Sequence, residues 1–143
     1  MTSTQQMGAE LVTDLLARFG SAAIRVQGTS MLPALCPGDQ VLIQSCNSNE
    51  TEVGDVVAFR REGRLFVHRV VERFRDGHLL TRGDAISLQD DPVSTNEFLG
   101  KITQIERRGR VLPMCGSLLQ RIAAAIFRRS RTCSSLFQKL ASL

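Results

Sequence analysis

Short apolar segments separated by turn residues fill most of the chain between Ala22 and Ile105. The breaks are rich in Gly, Pro and Asp, as at Pro37-Gly38-Asp39 and Asp76-Gly77, where a backbone reverses direction easily. The predicted strands are Ile24–Val26, Val41–Gln44, Asp55–Arg60, Arg64–Arg73, His78–Arg82 and Leu99–Arg107. Because no helical pattern separates them, the sequence predicts a mainly β fold, either a coiled antiparallel sheet or a small barrel.

Helical periodicity occurs at the two ends of the chain. Residues 8–19 predict a helix that ends at Gly20 and has an apolar face formed by Leu11, Val12, Leu15, Leu16 and Phe19. We expect this face to pack on the body of the protein; docking onto a membrane or a partner is the alternative. Residues 117–140 predict a second, basic amphipathic helix. The chain therefore divides into an N-terminal amphipathic helix (1–21), a β domain (22–112) and a basic C-terminal helix (113–143).

The positive charge is concentrated at the C-terminal end. The chain carries 18 Lys and Arg against 14 Asp and Glu, and residues 101–143 hold 9 of the basic residues with Glu106 as their only acid. A basic amphipathic helix is typical of an interfacial membrane contact, although it could equally cap the sheet and expose a solvated basic face. Nucleic acid is disfavoured as a partner, because Trp and Tyr are absent and the sequence contains no recognisable nucleic-acid-binding motif.

The cysteines and histidines predict neither a metal site nor a cofactor. With two histidines and no CxxC spacing, a zinc site is not indicated, and reduced thiols fit a cytoplasmic location. Residues 1–20 contain Glu10, Asp14 and Arg18, so we expect no secretory leader, and no apolar run approaches the roughly 18 residues of a membrane span. Peripheral membrane attachment through the C-terminal helix stays open.

One loop places a hydroxyl group at a bend. The segment Gly28-Thr29-Ser30-Met31-Leu32-Pro33 is followed by Pro37-Gly38-Asp39-Gln40-Val41. Gly28 permits backbone angles that other residues avoid and Pro33 fixes its own φ, so we expect Ser30 to lie outside any regular element. A lone serine in a loop often only caps a turn, so this signal needs support from elsewhere in the chain.

Three short sequence motifs, or boxes, occur in the same order as in the signal peptidase I family, and the chain resembles that family. The first is the Ser30 segment, a box that the LexA-like self-cleaving repressors share. The second joins Gly54-Asp55-Val56-Val57-Ala58-Phe59 with Val67-His68-Arg69-Val70, and the third is Gly83-Asp84, followed by Asp90-Asp91. The resemblance implies a mostly β peptidase fold. It also implies a serine endopeptidase that cleaves an extended segment of a precursor peptide or protein through an acyl-enzyme.

The resemblance makes Ser30 the nucleophile and His68 its base. Related peptidases activate the serine with a lysine or a histidine, and Lys101 and Lys139 lie outside the strand expected to face Ser30. The chain therefore resembles the archaeal and endoplasmic-reticulum type, which pairs Ser with His. A carboxylate commonly orients such a histidine. We favour Asp84 as a structural or orienting residue, and Asp90 over Asp91 as the third catalytic member.

Backbone N–H groups around Ser30 are expected to form an oxyanion hole, with Gly28, Thr29 and Met31 as the candidate residues. The substrate is expected to bind extended, as an added strand near Ser30 and the strand Val56–Phe59. By resemblance, small residues would precede the cut bond. Asp39 and Asp55 each follow a glycine at a strand entry, and we expect them to hold turns.

Two other functions are weighed against this one. A LexA-like regulatory module that cleaves itself would need a DNA-binding helix-turn-helix before the peptidase part, and the roughly 24 residues that precede the Ser30 segment are too few for it. A catalytically silent peptide-binding protein would not need the pairing of Ser30 with His68.

Overall fold

The computed structural model describes residues 2–114, which form one helix, seven strands and a 3-10 turn at Ser48–Glu50. Helix α1 is Thr2–Phe19, and the strands are β1 Ser21–Arg25, β2 Gln40–Ser45, β3 Val56–Arg61, β4 Arg64–Arg73, β5 Leu79–Arg82, β6 Phe98–Arg107 and β7 Arg110–Pro113. The C-terminal helix predicted at 117–140 lies outside the described residues.

All seven strands join one antiparallel sheet, in which six follow the order β1-β2-β6-β3-β4-β5 and β7 pairs with β6. β6 pairs with β3 through its first half and with β7 through its second half. The sheet is open, with β1 and β5 at its ends. The predicted mainly β antiparallel architecture is therefore confirmed, and the sheet does not close into the barrel that the sequence left as an alternative.

The sequence does not predict β7, because the turn before it carries a weak signal. Arg108 and Gly109 both have positive φ, 52° and 76°, which lets β6 and β7 form a two-residue hairpin. Such turns are most often marked by Asn-Gly or Asp-Gly, and Arg-Gly is a poorer marker. The last residues of the predicted β domain, which ends at residue 112, therefore belong to a seventh strand, Arg110–Pro113.

Helix α1 packs on the sheet through a narrower face than its sequence predicts. Ala9, Val12 and Leu16 are buried, whereas Leu11 and Phe19 are 59% and 73% exposed. Residues three and four apart share one side of a helix, so contact with the sheet is centred on the Ala9–Leu16 line. The prediction that Leu11 and Phe19 pack on the body is therefore wrong.

Two apolar cores lie on opposite faces of β3. Successive side chains of a strand point to opposite faces, so Val56 and Ala58 join the core under α1, while Val57 and Phe59 join the second core. This explains why β3 reads as an unbroken apolar run. On β4, His68 lies directly opposite Val57, which places the histidine beside the second core.

Residues 2–114 contain no helix with the length and apolar character that crossing a bilayer requires. Cys36 and Cys46 are free thiols. In the same part of the chain, no three His, Cys, Asp or Glu side chains come together in a group that could hold a metal ion.

Candidate active site

Ser30 lies at the start of a turn that follows the end of β1, and buried side chains fix its loop. The backbone N–H of Val26 donates to Asp39 O, and that of Gly38 donates to Val26 O, both at 2.8 Å. Met31 and Leu35, on the far side of Ser30, are 2% and 0% exposed in the core under α1. The buried side chains of Met31 and Leu35 therefore hold the loop in place, and this loop presents the half-buried Ser30 hydroxyl.

A partly buried ion pair connects the same loop to β6. The guanidinium of Arg107 donates to both carboxylate oxygens of Asp39, at 2.9 and 2.7 Å, and to the carbonyl oxygen of Ala34 at 3.3 Å. Asp39 also accepts the backbone N–H of Cys36 at 2.8 Å. A carboxylate that accepts this many donors within one turn stabilises the turn, which is the role expected for Asp39.

His68 brings Ser30 and Asp90 together although the three residues lie far apart in sequence. Its Nε2 is 3.2 Å from Ser30 Oγ, and its Nδ1 is 2.6 Å from Asp90 Oδ2. The ring is 6% exposed and lies edge-on to Phe59 and Phe66, at centroid distances of 6.0 and 6.1 Å. This is the arrangement in which a carboxylate orients an imidazole and the imidazole can accept a hydroxyl proton.

Asp90 is held in place by Thr81 as well as by His68. Thr81 Oγ1 donates to Asp90 Oδ2 at 2.6 Å, and the Asp90 backbone N–H donates to Thr81 O at 2.8 Å. Burial alone would raise the pKa of the Asp90 carboxyl, but the hydrogen bonds from His68 and Thr81 outweigh it and the pKa is lowered. Asp90 therefore stays ionised, which suits a partner for the imidazole Nδ1–H.

Arg61 secures the segment that carries Asp90, and sequence reasoning did not find it. Its guanidinium donates to the carbonyl oxygens of Asp91 and Pro92 at 3.0–3.2 Å and forms paired hydrogen bonds with Glu97 at 2.8 and 2.9 Å. The Arg61 guanidinium holds the pKa of the Glu97 carboxyl at about 2, below its ordinary value of 4.5. An arginine at the end of a strand carries no local signal for this role, because its partners lie 30–36 residues away.

We expect the Arg61–Glu97 pair to contribute stability that depends on pH. The folded-state pKa of Glu97 lies below its unfolded value, so this stability is full above about pH 5 and is lost as pH falls towards about 2. The free energy of unfolding of wild type should exceed that of Glu97→Gln at neutral pH, and the difference should shrink in acid. Urea unfolding at several pH values measures it; a difference that grows as pH falls would contradict the assignment.

Asp84 does not contact His68. Its carboxylate accepts two hydrogen bonds from the Arg69 guanidinium, at 2.8 and 2.7 Å, and Arg69 also donates to Gly54 O at 2.7 Å. Both side chains are almost fully buried. Asp84 thus neutralises a buried arginine, and of the carboxylates considered for orienting His68, the structure puts Asp90 beside the ring.

Gly83, the residue before Asp84, lies against the backbone of Ser30. A Cβ built on Gly83 would be 2.7 Å from Ser30 O and 3.1 Å from Ser30 Cβ. The backbone N–H of Ala85 donates to Ser30 O at 2.8 Å. The Gly83-Asp84 segment therefore packs against the Ser30 backbone and helps to fix its position. Only a residue without a side chain fits at position 83.

Substituting Asp84→Asn should lower the free energy of unfolding by about 3 kcal/mol, because it leaves the buried Arg69 without a countercharge. Asp91→Asn is the matched control: the Asp91 side chain is exposed, and the change should stay within about 0.5 kcal/mol. Urea denaturation followed by circular dichroism measures both. Equal stability of the two variants would contradict a structural role for Asp84.

The residues expected at the oxyanion hole surround Ser30. Gly28 and Thr29 are exposed, and an added Cβ on Gly28 would meet no atom within 4 Å. Among the described residues, the backbone N–H groups of Ser30 and Met31 donate no hydrogen bond within the protein. Neither N–H group is therefore committed to an acceptor in the described part of the protein. Lys101, by contrast, lies on β6 with its Nζ 3.8 Å from Asp55, so it is not in position to act on Ser30.

A groove of about 540 Å³ leads away from Ser30 and His68. Its walls are α1, the segment Ile24–Ser30 and the first half of β4, Arg64–His68, and we call it the β1–β4 groove. β5 pairs with β4 from Arg69 to Arg73 only, and β1 pairs with β2 alone. The β1 wall and the β4 wall therefore each present a strand edge that has no strand partner in the described sheet.

The edge available to an added strand belongs to β4, the strand next to β3. β3, which contains Val56–Phe59, pairs with β4 on one side and with β6 on the other, so it has no free edge there. The expectation of an added strand near Ser30 and Val56–Phe59 stays a prediction. Sequence periodicity indicates which face a side chain takes, but it does not reveal which strands become neighbours.

A search among curated proteins gave no match for this chain. The family model described as Peptidase S24-like matches residues 5–103, which is more than half of the 143 residues. The matched range contains Ser30, His68 and Asp90, together with all of the β1–β4 groove except Thr4. On this match, the chain belongs to the Peptidase S24-like family.

Proposed function

We propose that this protein is a serine endopeptidase of the signal peptidase I type that uses Ser30, His68 and Asp90. The observation that carries the proposal is the position of His68, with one ring nitrogen 3.2 Å from Ser30 Oγ and the other 2.6 Å from Asp90 Oδ2. Membership of the Peptidase S24-like family supports serine peptidase chemistry. The Ser–His pairing resembles the archaeal and endoplasmic-reticulum signal peptidases rather than the Ser–Lys type.

The reaction begins when Ser30 Oγ attacks the carbonyl carbon of the cut bond while His68 Nε2 takes the hydroxyl proton. Asp90 accepts the Nδ1–H of His68, which fixes the required tautomer and stabilises the imidazolium. The imidazolium gives its proton to the leaving amine, and an acyl group remains on Ser30. A water molecule that gives a proton to His68 then hydrolyses the ester and restores the serine hydroxyl.

The backbone N–H groups of Ser30 and Met31 would stabilise the oxyanion of each tetrahedral intermediate. They have no acceptor among the described residues, and they belong to a loop that the buried side chains of Met31 and Leu35 hold in place. Donors that need no rearrangement are the effective ones, and one such hydrogen bond contributes about 10²–10³-fold in rate. The open space at Gly28 leaves room for a substrate backbone beside them.

The substrate would enter the β1–β4 groove as an extended strand. Pairing with the free edge of Arg64–His68 supplies main-chain hydrogen bonds, and the apolar walls receive alternate side chains. Such a strand would fill the gap between β1 and β4 and bring one peptide bond to Ser30. A precursor peptide or protein with small residues before the cut bond is the substrate that the family resemblance suggests.

A fluorophosphonate probe, which reacts with activated serines, tests the proposal. We expect wild type to be labelled and Ser30→Ala to stay unlabelled. His68→Ala and Asp90→Asn should slow labelling by about 10³–10⁴-fold, because the hydroxyl loses its base or the base loses its tautomer. Asp91→Asn is the matched control for Asp90→Asn and should label at close to the wild-type rate.

Circular dichroism of each variant separates loss of chemistry from loss of folding. Two results would contradict the proposal: an unlabelled wild type, or equal labelling of wild type and Ser30→Ala. If Asp91→Asn slowed labelling as much as Asp90→Asn does, the orienting role would not belong to Asp90.

A LexA-like function, in which the domain cuts its own chain, is the second candidate, and the family match is equally compatible with it. Cleavage in cis is first-order, so the fraction cut per hour would not change with dilution. The endopeptidase proposal predicts that purified wild type keeps its full mass at every concentration while it cleaves added peptides. Mass spectrometry of a dilution series, with Ser30→Ala as the uncut control, distinguishes the two.

A further inference from the structure

Two arginines line the β1–β4 groove outside the Ser30–His68 pair. Arg25 is the last residue of β1 and Arg64 is the first of β4; both are exposed and both line the groove. The groove lining contains no Asp or Glu among the described residues. The side chains that line the groove therefore carry positive charge, a feature that the chemistry at Ser30 does not require.

Neither arginine is committed to an ion pair in the described part of the protein. The arginines within 4 Å of a carboxylate in residues 2–114 are Arg60, Arg61, Arg69 and Arg107. Arg64 makes one side-chain hydrogen bond, from its Nε to Gln5 Oε1 on α1 at 3.3 Å. That contact leaves the terminal nitrogens of Arg64 free to bind another group.

The spacing along the strands gives the distance from the chemistry. Arg64 precedes His68 by four residues on β4, and Arg25 precedes Ser30 by five. An extended peptide paired with β4 advances about 3.3 Å per residue, so Arg64 lies roughly 13 Å from the cut bond. Because Arg64 and His68 are an even number apart, they share one face of the strand, and a peptide side chain four residues from the cut bond can face Arg64.

We infer that the substrate carries an acidic side chain about four residues from the cut bond, where Arg25 and Arg64 bind it. A guanidinium presents paired N–H donors that match a carboxylate. The inference rests on the proposed endopeptidase function and adds a charge requirement to it. It also selects between peptides, because an extended segment with a basic residue at that position would meet two like charges.

The test is a mixed library of synthetic peptides in which cleavage sites are identified by mass spectrometry. Wild type should enrich Asp and Glu at one position three to five residues from the cut bond. Arg64→Gln and Arg25→Gln should each lower that preference by about 2- to 5-fold, and raising NaCl from about 0.05 to 0.5 M should lower it as well. Arg75→Gln is the matched control, since Arg75 is exposed in the turn between β4 and β5 and lies outside the groove.

Fluorophosphonate labelling is measured in parallel, because the probe has no acidic group for the arginines to bind. Arg75→Gln should label at the wild-type rate, and labelling of Arg25→Gln and Arg64→Gln shows whether Ser30 is still activated in these variants. Cleavage without any acidic preference, or a preference that Arg75→Gln reduces as much as Arg64→Gln does, overturns this inference and leaves the proposed endopeptidase intact. A wild type that neither labels nor cleaves refutes both.

Discussion

The position of the His68 ring between Asp90 and Ser30 is the constraint on which the rest of the candidate site depends. One nitrogen faces Asp90 Oδ2 at 2.6 Å and the other faces Ser30 Oγ at 3.2 Å, so a small shift of any of the three segments would break one contact. Each segment is fixed independently of the ring. β4 is paired with β3, Arg61 holds the carbonyls after Asp90, and the Ser30 loop is tied to β6 through Arg107.

The carboxylates around the site divide into two groups by their partners. Asp39, Asp84 and Glu97 each form paired hydrogen bonds with an arginine, and each pair fastens a loop or a strand end. Asp90 instead accepts hydrogen bonds from His68 and Thr81. A carboxylate bound in both oxygens by a guanidinium has little capacity left for an imidazole, so Asp90 is the one suited to orient His68. The three arginine–carboxylate pairs hold the loops and strand ends in place, and Asp90 remains available to orient His68.

Local sequence signals predicted most of the strands, and the resemblance to signal peptidase I indicated Ser30 and His68, but neither predicted the neighbours of each strand. The resemblance favoured Asp90 over Asp91 and left Asp84 as another residue that could orient His68; the structure puts Asp90 beside the ring. The free edge at Arg64–His68 could not be predicted, because β6, which lies between β2 and β3 in the sheet, begins 37 residues after the end of β3, and no periodicity indicates that pairing. The role of Arg61 could not be predicted for the same reason, because the groups that it binds become its neighbours only when the chain folds.

Nuclear magnetic resonance of the His68 ring tests the central claim most directly. The chain has two histidines, so His78→Gln leaves His68 as the only ¹⁵N-labelled ring. At about pH 8 we expect a proton on Nδ1, far downfield because it is shared with Asp90, and an unprotonated Nε2 facing Ser30. Asp90→Asn should remove the downfield signal and Asp91→Asn should leave it. A proton on Nε2 with a bare Nδ1, or a signal that survives Asp90→Asn, would show that the ring is not held as the site requires.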